Sequence, residues 1–266
     1  MARTERSGQP LDSGQLPLSG QLQGLWLGRR PYQAVLELQQ RCAAQRRAGE
    51  IGDVLLLVEH PATITLGRGS KAEHLLASSE QLSRLGVEVH SINRGGDITL
   101  HAPGQLVGYP IVELREKQRD VRRYVQILTE TMRRVAAAAG VEAGPVDGYV
   151  GLWVDTTHPK EWQGAHNAQT LAKLGAIGVA ISRWITSHGF ALNLNVDLDL
   201  FQLIVPCGIS EHPVTSVEKL TGDRLSLHSC AEIAHNALAA LLDRTALPLT
   251  DSSELPWPEV VIPIDA

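Results

Sequence analysis

Arg94-Gly95-Gly96-Asp97-Ile98-Thr99-Leu100-His101-Ala102-Pro103-Gly104-Gln105 is the stretch from which the architecture can be read. Ile98 and Leu100 alternate with Asp97, Thr99 and His101. That period of two predicts a strand with its three polar side chains on one face. The Pro103-Gly104 turn then leads into a second apolar run, Leu106 to Val112, and predicts a returning strand. Arg94-Gly95-Gly96 precedes them as a loop whose glycines, lacking Cβ, allow a ligand to approach the backbone.

Upstream, Trp26 and Leu27 open a short strand. Pro31 suits the first turn of a helix running to about Gly49, with Val35, Leu38 and Cys42 on one face. Val54-Leu55-Leu56-Leu57-Val58 reads as a buried strand ended by Pro61. Thr63 to Leu66 reads as another, residues 79–85 as a helix, and Val87 to Ile92 as extended chain. Downstream, Val121 to Ala139 is the longest predicted helix, closed by Gly140. Extended segments are predicted at 148–154, 174–182 and 184–196, and a helical turn at Leu198 to Phe201. A final helix runs from Ser229, as its cap, to Arg244. These elements predict an α+β fold with a mixed or mostly antiparallel sheet covered by helices. Residues 1–20 read as a mobile leader and 21–246 as a single catalytic domain. The tail 247–266 is rich in proline and reads as irregular.

The 266 residues are 43% apolar and carry a net charge of -5. That composition suits a soluble globular protein and argues against a nucleic-acid binder, which usually carries a basic surplus. No run is long enough to span a bilayer, and the first twenty residues lack the apolar core of a signal peptide. The three cysteines form no disulfide framework or metal spacing, so a reducing cytoplasm is the expected setting. No dinucleotide fingerprint or phosphate loop is present. His158 and His166 fall in a polar loop without metal-ligand spacing.

Chemistry concentrates at a few positions. Cys207 lies in a Pro206-Cys207-Gly208 turn, where a thiol is exposed and successive N–H groups have the chance to face an oxyanion. Cys42 and Cys230 sit in predicted helices and read as small buried hydrophobes. Lys173 opens a strand on which Lys173, Gly175, Ile177, Val179 and Ile181 are predicted to share a face. An ammonium near Cys207 would favour the thiolate. His101 and His188 are each open to a general-base role and to a structural one.

Together these stretches closely resemble the lipoyl(octanoyl) transferases, also called octanoyl-acyl carrier protein:protein octanoyltransferases. The resemblance rests on Arg94 through Pro110, Lys173 to Gly178, His188 to Asn193, Pro206-Cys207-Gly208-Ile209 and Val214-Thr215-Ser216, and covers roughly residues 25–245. It implies a fold shared with lipoate and biotin protein ligases. It implies Cys207 as nucleophile and Lys173 as the residue that activates it. The implied substrate-binding segments are Arg94, Gly95, Gly96, Asp97, Ile98, Thr99, Leu100 and His101; Ala176, Ile177 and Gly178; and Gly189, Phe190 and Ala191. The implied donor is octanoyl-acyl carrier protein. The implied acceptors are lysines of lipoyl domains of 2-oxoacid dehydrogenases and of the glycine cleavage H protein. No cofactor or metal is implied. Small residues at Gly175, Ile177, Gly189 and Ala191 are expected to wall the acyl pocket. The chain departs from the family at Ala180, where a basic residue is common, and in a longer stretch from Asp155 to Ala172. Three other readings stay open here: an ATP-dependent lipoate ligase, a cysteine thioesterase, and an inactive carrier-binding module.

Overall fold

The computed structural model describes residues 20–209 and 211–253. Its centre is β2 (Asp53–Glu59), the run read above as a buried strand. Val54, Leu56 and Val58 point to one side and Leu55 and Leu57 to the other, and all five are buried. Both faces of the sheet are therefore covered. Each such leucine contributes about 1.5–3 kcal/mol when removed from water.

On one face lies α1 (Tyr32–Ala48), closed by Gly49 in the left-handed conformation. Its Val35, Leu38 and Cys42 meet Val54, Leu56 and Val58. The opposite face carries α3 (Val121–Ala138) and α5 (Leu227–Leu241). The side chain of Asp120 caps α3 by accepting from the N–H groups of Arg122 and Arg123.

The sheet around β2 also contains β1 (Gln21–Arg29), β6 (Gln105–Ile111), β7 (Gly144–Val146), β8 (Tyr149–Asp155), β9 (Leu171–Ser182) and β10 (Ile185–Asn193). Two short strands, β11 (Thr245–Ala246) and β12 (Thr250–Asp251), both pair with β1. The order is β11-β1-β2-β6-β10-β9-β8-β7. The β1 pairings are parallel and the remainder antiparallel, so the sheet is mixed as predicted. A second sheet, β4 (Glu88–Ser91), β3 (Thr63–Leu66) and β5 (Ile98–His101), packs with α2 (Ser79–Leu85) around its own small core. A five-residue helix, α4 (Val217–Thr221), precedes α5.

Three boundaries differ from the sequence reading. The last helix starts at Leu227, because Ser226 and not Ser229 is the cap: the Ser226 side chain accepts the Ser229 N–H. The segment after Leu247 is not irregular up to Asp251. Leu247 N–H donates to Leu22 O and Ser252 N–H to Trp26 O, giving the open edge of β1 the partners its backbone requires. β1 is a nine-residue strand, longer than the Trp26-Leu27 core first visible. The predicted leader, apart from Gly20, and the tail beyond Ser253 lie outside the described residues. Among those described, no helix is long and apolar enough to cross a membrane.

A buried ion network ties the C-terminal end of α1, the start of β2 and the segment after α5. Asp53 accepts from Arg46 Nε at 2.8 Å, Arg244 Nε at 2.7 Å and the Glu113 N–H at 2.9 Å. Arg244 also donates to the carbonyls of Leu242 and Glu113. Asp53→Ala would leave the Arg244 guanidinium, 1% exposed, without its counter-charge. We expect a loss of about 3–5 kcal/mol in urea unfolding. A variant within 1 kcal/mol of the parent, as an order-of-magnitude margin, would show that the carbonyls alone hold Arg244.

Candidate active site

Lys173 Nζ donates to Cys207 Sγ at 3.1 Å. Two residues 34 positions apart thus meet, and the local structure explains how. In β9 the pairing with β8 slips: Gly175 faces Leu152, yet Lys173 faces Trp153. Leu174 is the extra residue of a β-bulge. The slip breaks the predicted alternation. Gly175, Ile177, Val179 and Ile181 lie on the α3 side, where a Cβ on Gly175 would meet Met132 Sδ at 2.6 Å. Lys173 instead joins Ala176 and Gly178 along a cavity on the other side. Because Ala176 pairs with Ala191 and Gly178 with Gly189, the small residues of that face are Ala176, Gly178, Gly189 and Ala191; Gly175 does not line the cavity, and Ile177 does so while also packing against the α3-side core.

The lysine backbone is clamped. Its N–H donates to Pro213 O at 2.8 Å and its carbonyl accepts from Thr215 N–H at 2.9 Å. The side chain is buried and passes over the Trp153 ring, with Nζ 5.3 Å from its centroid. Cys207 sits in a 3-10 turn, Pro206–Gly208, whose two central residues are both left-handed, with φ of 57° at Cys207 and 69° at Gly208. Gly208 is required twice. A Cβ there would be strained by that φ and would press on the paired side chains of Asp97 and His74, at 2.7 and 2.8 Å. The Gly208 and Ile209 N–H groups bond back to Val205 O and Pro206 O, so they close the turn and do not form the expected oxyanion pair.

The cavity holds about 330 Å³, at the lower end of the range for small-molecule sites. Arg94, Gly96, Asp97, Thr99, His101, Ala176, Ile177, Gly178, Gly189, Phe190 and Ala191 line it together with Lys173 and Cys207. Gly95, Ile98 and Leu100 do not. Gly95 fixes the loop by donating to Val179 O, while Ile98 and Leu100 point into the core of the small sheet. The alternation read from the sequence therefore places Asp97, Thr99 and His101 at the cavity. The stretch 155–172 lies away from it, folded around Asp155, which accepts from the N–H groups of Thr157, Gln169 and Thr170.

Tyr32, Tyr109 and His188 also line the cavity and were not among the substrate-binding positions read from sequence. Tyr109 had a signal, since it lies in the second strand of the opening motif. Tyr32 had none beyond its place at the helix start. His60, behind them, had none.

The polar groups of this floor are wired and uncharged. His101 Nδ1 donates to Gln105 Oε1, Gln105 Nε2 to Asn193 Oδ1, and Asn193 Nδ2 to Thr215 O. His60 Nδ1 donates to Arg30 O, which leaves Nε2 to accept the Tyr109 hydroxyl. Burial pushes His101 down to about 3, and His60 and His188 down to about 4. The exception is Arg94, buried with its guanidinium donating to Thr65 O, Thr65 Oγ1 and Gly95 O. Burial lowers its pKa, and the neighbouring Cys207 is the largest opposing influence. Gly178 makes room for it, since a Cβ there would lie 2.8 Å from Arg94 Cδ. Arg94 has no carboxylate partner in any ion pair of the described residues. Cys42 and Cys230 are buried elsewhere, and burial pushes their thiols up to about 12 and about 11.

Comparison with known proteins gives a consistent picture. Residues 31–239 match the lipoyl protein ligase A/B catalytic domain family. The chain is 48% identical over 217 residues to the octanoyltransferase of Myxococcus xanthus, a match covering 82% of this chain and 58% of that protein. It is 45% identical over 222 residues to the octanoyltransferase of Solibacter usitatus, covering 84% and 93% respectively. A bipartite lipoate protein ligase from Thermoplasma acidophilum shares the fold at TM-score 0.63 and 14% identity, covering 85% of this chain and 88% of that one. A lipoate-protein ligase A bound with ATP does so at 0.62 and 14%, covering 88% and 90%.

The neutral histidines make stability depend on pH. Their folded pKa values lie below the ordinary 6.5, so the unfolded chain takes up protons that the folded chain refuses. Stability should be complete above about pH 6.5 and fall as the pH drops toward about 4. Each histidine contributes up to about 1.4 kcal/mol per pH unit in that window. Urea midpoints measured from pH 7.5 to 5 test this as an order-of-magnitude range. A flat profile would mean that these rings are solvated.

Proposed function

Since the chain belongs to the lipoyl protein ligase A/B catalytic domain family, among its octanoyltransferases, and is an acyltransferase, we propose that it transfers an octanoyl group by way of a thioester on Cys207. The donor is octanoyl-acyl carrier protein. The acceptors are lysines of lipoyl domains of 2-oxoacid dehydrogenases and of the glycine cleavage H protein, in the cytoplasm. The catalytic unit is residues 21–246. The observation that carries the reading is the Lys173 Nζ to Cys207 Sγ contact at the cavity.

In the first half-reaction the Cys207 thiolate attacks the donor carbonyl. The carbon–sulfur bond to the carrier breaks, and the carrier thiolate leaves and takes a proton. In the second, the neutral amine of the acceptor lysine attacks the acyl-enzyme carbonyl. The bond to Sγ breaks, the amine nitrogen loses a proton, and the thiolate returns to its place beside the Lys173 ammonium. Thioester-to-thioester exchange is nearly balanced and amide formation is downhill, so the donor itself supplies the activation. An ammonium and the Arg94 guanidinium both favour negative charge on the sulfur. Arg94, Gly95, Gly96, Asp97, Ile98, Thr99, Leu100 and His101, with Ala176–Gly178 and Gly189–Ala191, form the substrate site, some by contact and Gly95, Ile98 and Leu100 by holding the loop and strand in place.

Intact-mass spectrometry after mixing with octanoyl-acyl carrier protein should show one octanoyl adduct, on Cys207. Adding a lipoyl domain should clear it and place the same mass on the domain. An adduct that clears without acceptor would indicate a thioesterase. Octanoylation of the domain from free acid and ATP, with no adduct, would indicate a ligase. Cys207→Ser should lower transfer by about a thousandfold or more. Cys42→Ala and Cys230→Ala should retain it, because both thiols are remote from the cavity.

Lys173→Met removes the ammonium and keeps most of the packing on Trp153. Alkylation of Cys207 by iodoacetamide at neutral pH should slow about tenfold or more. Unchanged alkylation would show that Lys173 does not govern the thiolate.

A further inference from the structure

A second cavity, also about 330 Å³, adjoins the first. His188 lines both. The row Lys173, Ala176, Gly178 runs along the first cavity from the nucleophile, and His188 pairs with Val179 just past its end. The second cavity continues beyond, between α1 and the tip of the β9–β10 hairpin. Leu36, Ile92 and Ile181 give it apolar wall, and Ala180 lines it as well.

His188 holds this place in a costly way. Its φ is 55°, in the left-handed region that favours glycine, within a strand and one residue before Gly189. Its backbone N–H donates to Gln39 Oε1 at 3.0 Å, tying this point of the strand to α1. Yet Nδ1 of His188 and Nε2 of Gln39 are both buried and have no partner. A glycine would relieve the backbone, and an apolar residue would remove the orphan nitrogen. The histidine does neither. It presents a rigid ring, backed by unpaired polar atoms, where an alkyl chain leaving the first cavity would pass. A methylene there gains no apolar contact and seals those atoms from any partner.

We propose that His188 is the end wall of the acyl cavity and sets the longest chain the enzyme accepts. The inference rests on the reading of the first cavity as the acyl site. With the ring in place the chain ends inside the first cavity. Without it the two spaces join.

The test uses the full chain and acyl-carrier thioesters graded from hexanoyl to hexadecanoyl, with the adduct on Cys207 read by intact mass. The parent should load octanoyl and decline sharply above it. His188→Gly, which suits the left-handed backbone, should raise dodecanoyl loading relative to octanoyl by at least about tenfold. His188→Asn, which also tolerates that backbone, should shift the profile by less and carries the test if the glycine variant does not fold. Ala180→Phe added to His188→Gly should refill the second cavity and return the profile toward octanoyl. That reversal separates a wall from a general loosening. If the variants load octanoyl and keep the parent profile, the wall is overturned and the acyl reading stands. If the parent forms no adduct on Cys207 with any length, the acyl reading falls and the wall with it.

Discussion

The backbone of Lys173 is held by Pro213 and Thr215 on one side, and its strand register is broken by one residue at Leu174 on the other. The arrangement of the site depends on these two constraints. Without the bulge, strict alternation would put the lysine out of step with Ala176 and Gly178. Without the clamp, the segment after Cys207 would lack its parallel bridge to β9 at Val214. The turn that carries the cysteine is anchored at its other end too, where Val205 N–H donates to His74 O and Ile204 bridges to Leu75. A left-handed cysteine is uncommon and costs of order 1–3 kcal/mol. It persists because both flanks are fixed by hydrogen bonds to separate parts of the fold.

A cavity proposed to take an alkyl chain and to host an ionic reaction at one mouth would face conflicting demands. The structure separates them by charge state. His60, His101 and His188 are neutral because burial disfavours imidazolium. The floor is therefore polar in its bonding and uncharged in its field. Positive charge is kept to Lys173, beside the sulfur, and Arg94, whose guanidinium is pinned by backbone carbonyls. Neither forms an ion pair with a carboxylate among the described residues. The nearest carboxylate, Asp97, is occupied by His74 and by the Ile98 N–H.

Much of this was legible in the sequence, and the reasons are local. The run Val54 to Val58 could only be a strand buried on both faces. The alternation at Asp97 to His101 correctly put three polar groups on one side, because nothing interrupts that four-residue strand. Glycine closed α1 where expected, and residues 79–85 are helical with a cap at Ser78. What escaped notice depends on partners far away in sequence. A bulge leaves no mark in a periodic pattern, so the alternation puts Lys173 on the face of Gly175 and Ile177, one register step from where it lies. The pairing of Thr250 and Asp251 with β1 comes from the unfilled edge of another strand, not from their own propensities. Tyr32 reaches the site because α1 packs over β6 and β10, and His60 meets Tyr109 because β2 pairs with β6, and no spacing rule records either juxtaposition.

The same distinction explains why Cys207 and Lys173 are legible as candidates and not as a geometry. A cysteine in a Pro-Cys-Gly turn and a lysine at a strand start are each weak signals, because lone cysteines are mostly buried hydrophobes and lone lysines mostly solvated. The structure separates the three cysteines by burial as well as by contact. Cys42 and Cys230 are packed in helices with their thiols pushed well up by burial, which leaves Cys207 as the one cysteine of the three that meets a cation at hydrogen-bond distance. The Lys173 side chain is buried over the indole ring of Trp153, so its Nζ needs a partner within the fold and finds it in Cys207 Sγ. The contact serves both partners: it gives the buried lysine an acceptor and the sulfur a donor. The burial of Lys173 and its meeting with Cys207 are two sides of one arrangement, built by a one-residue slip in a strand.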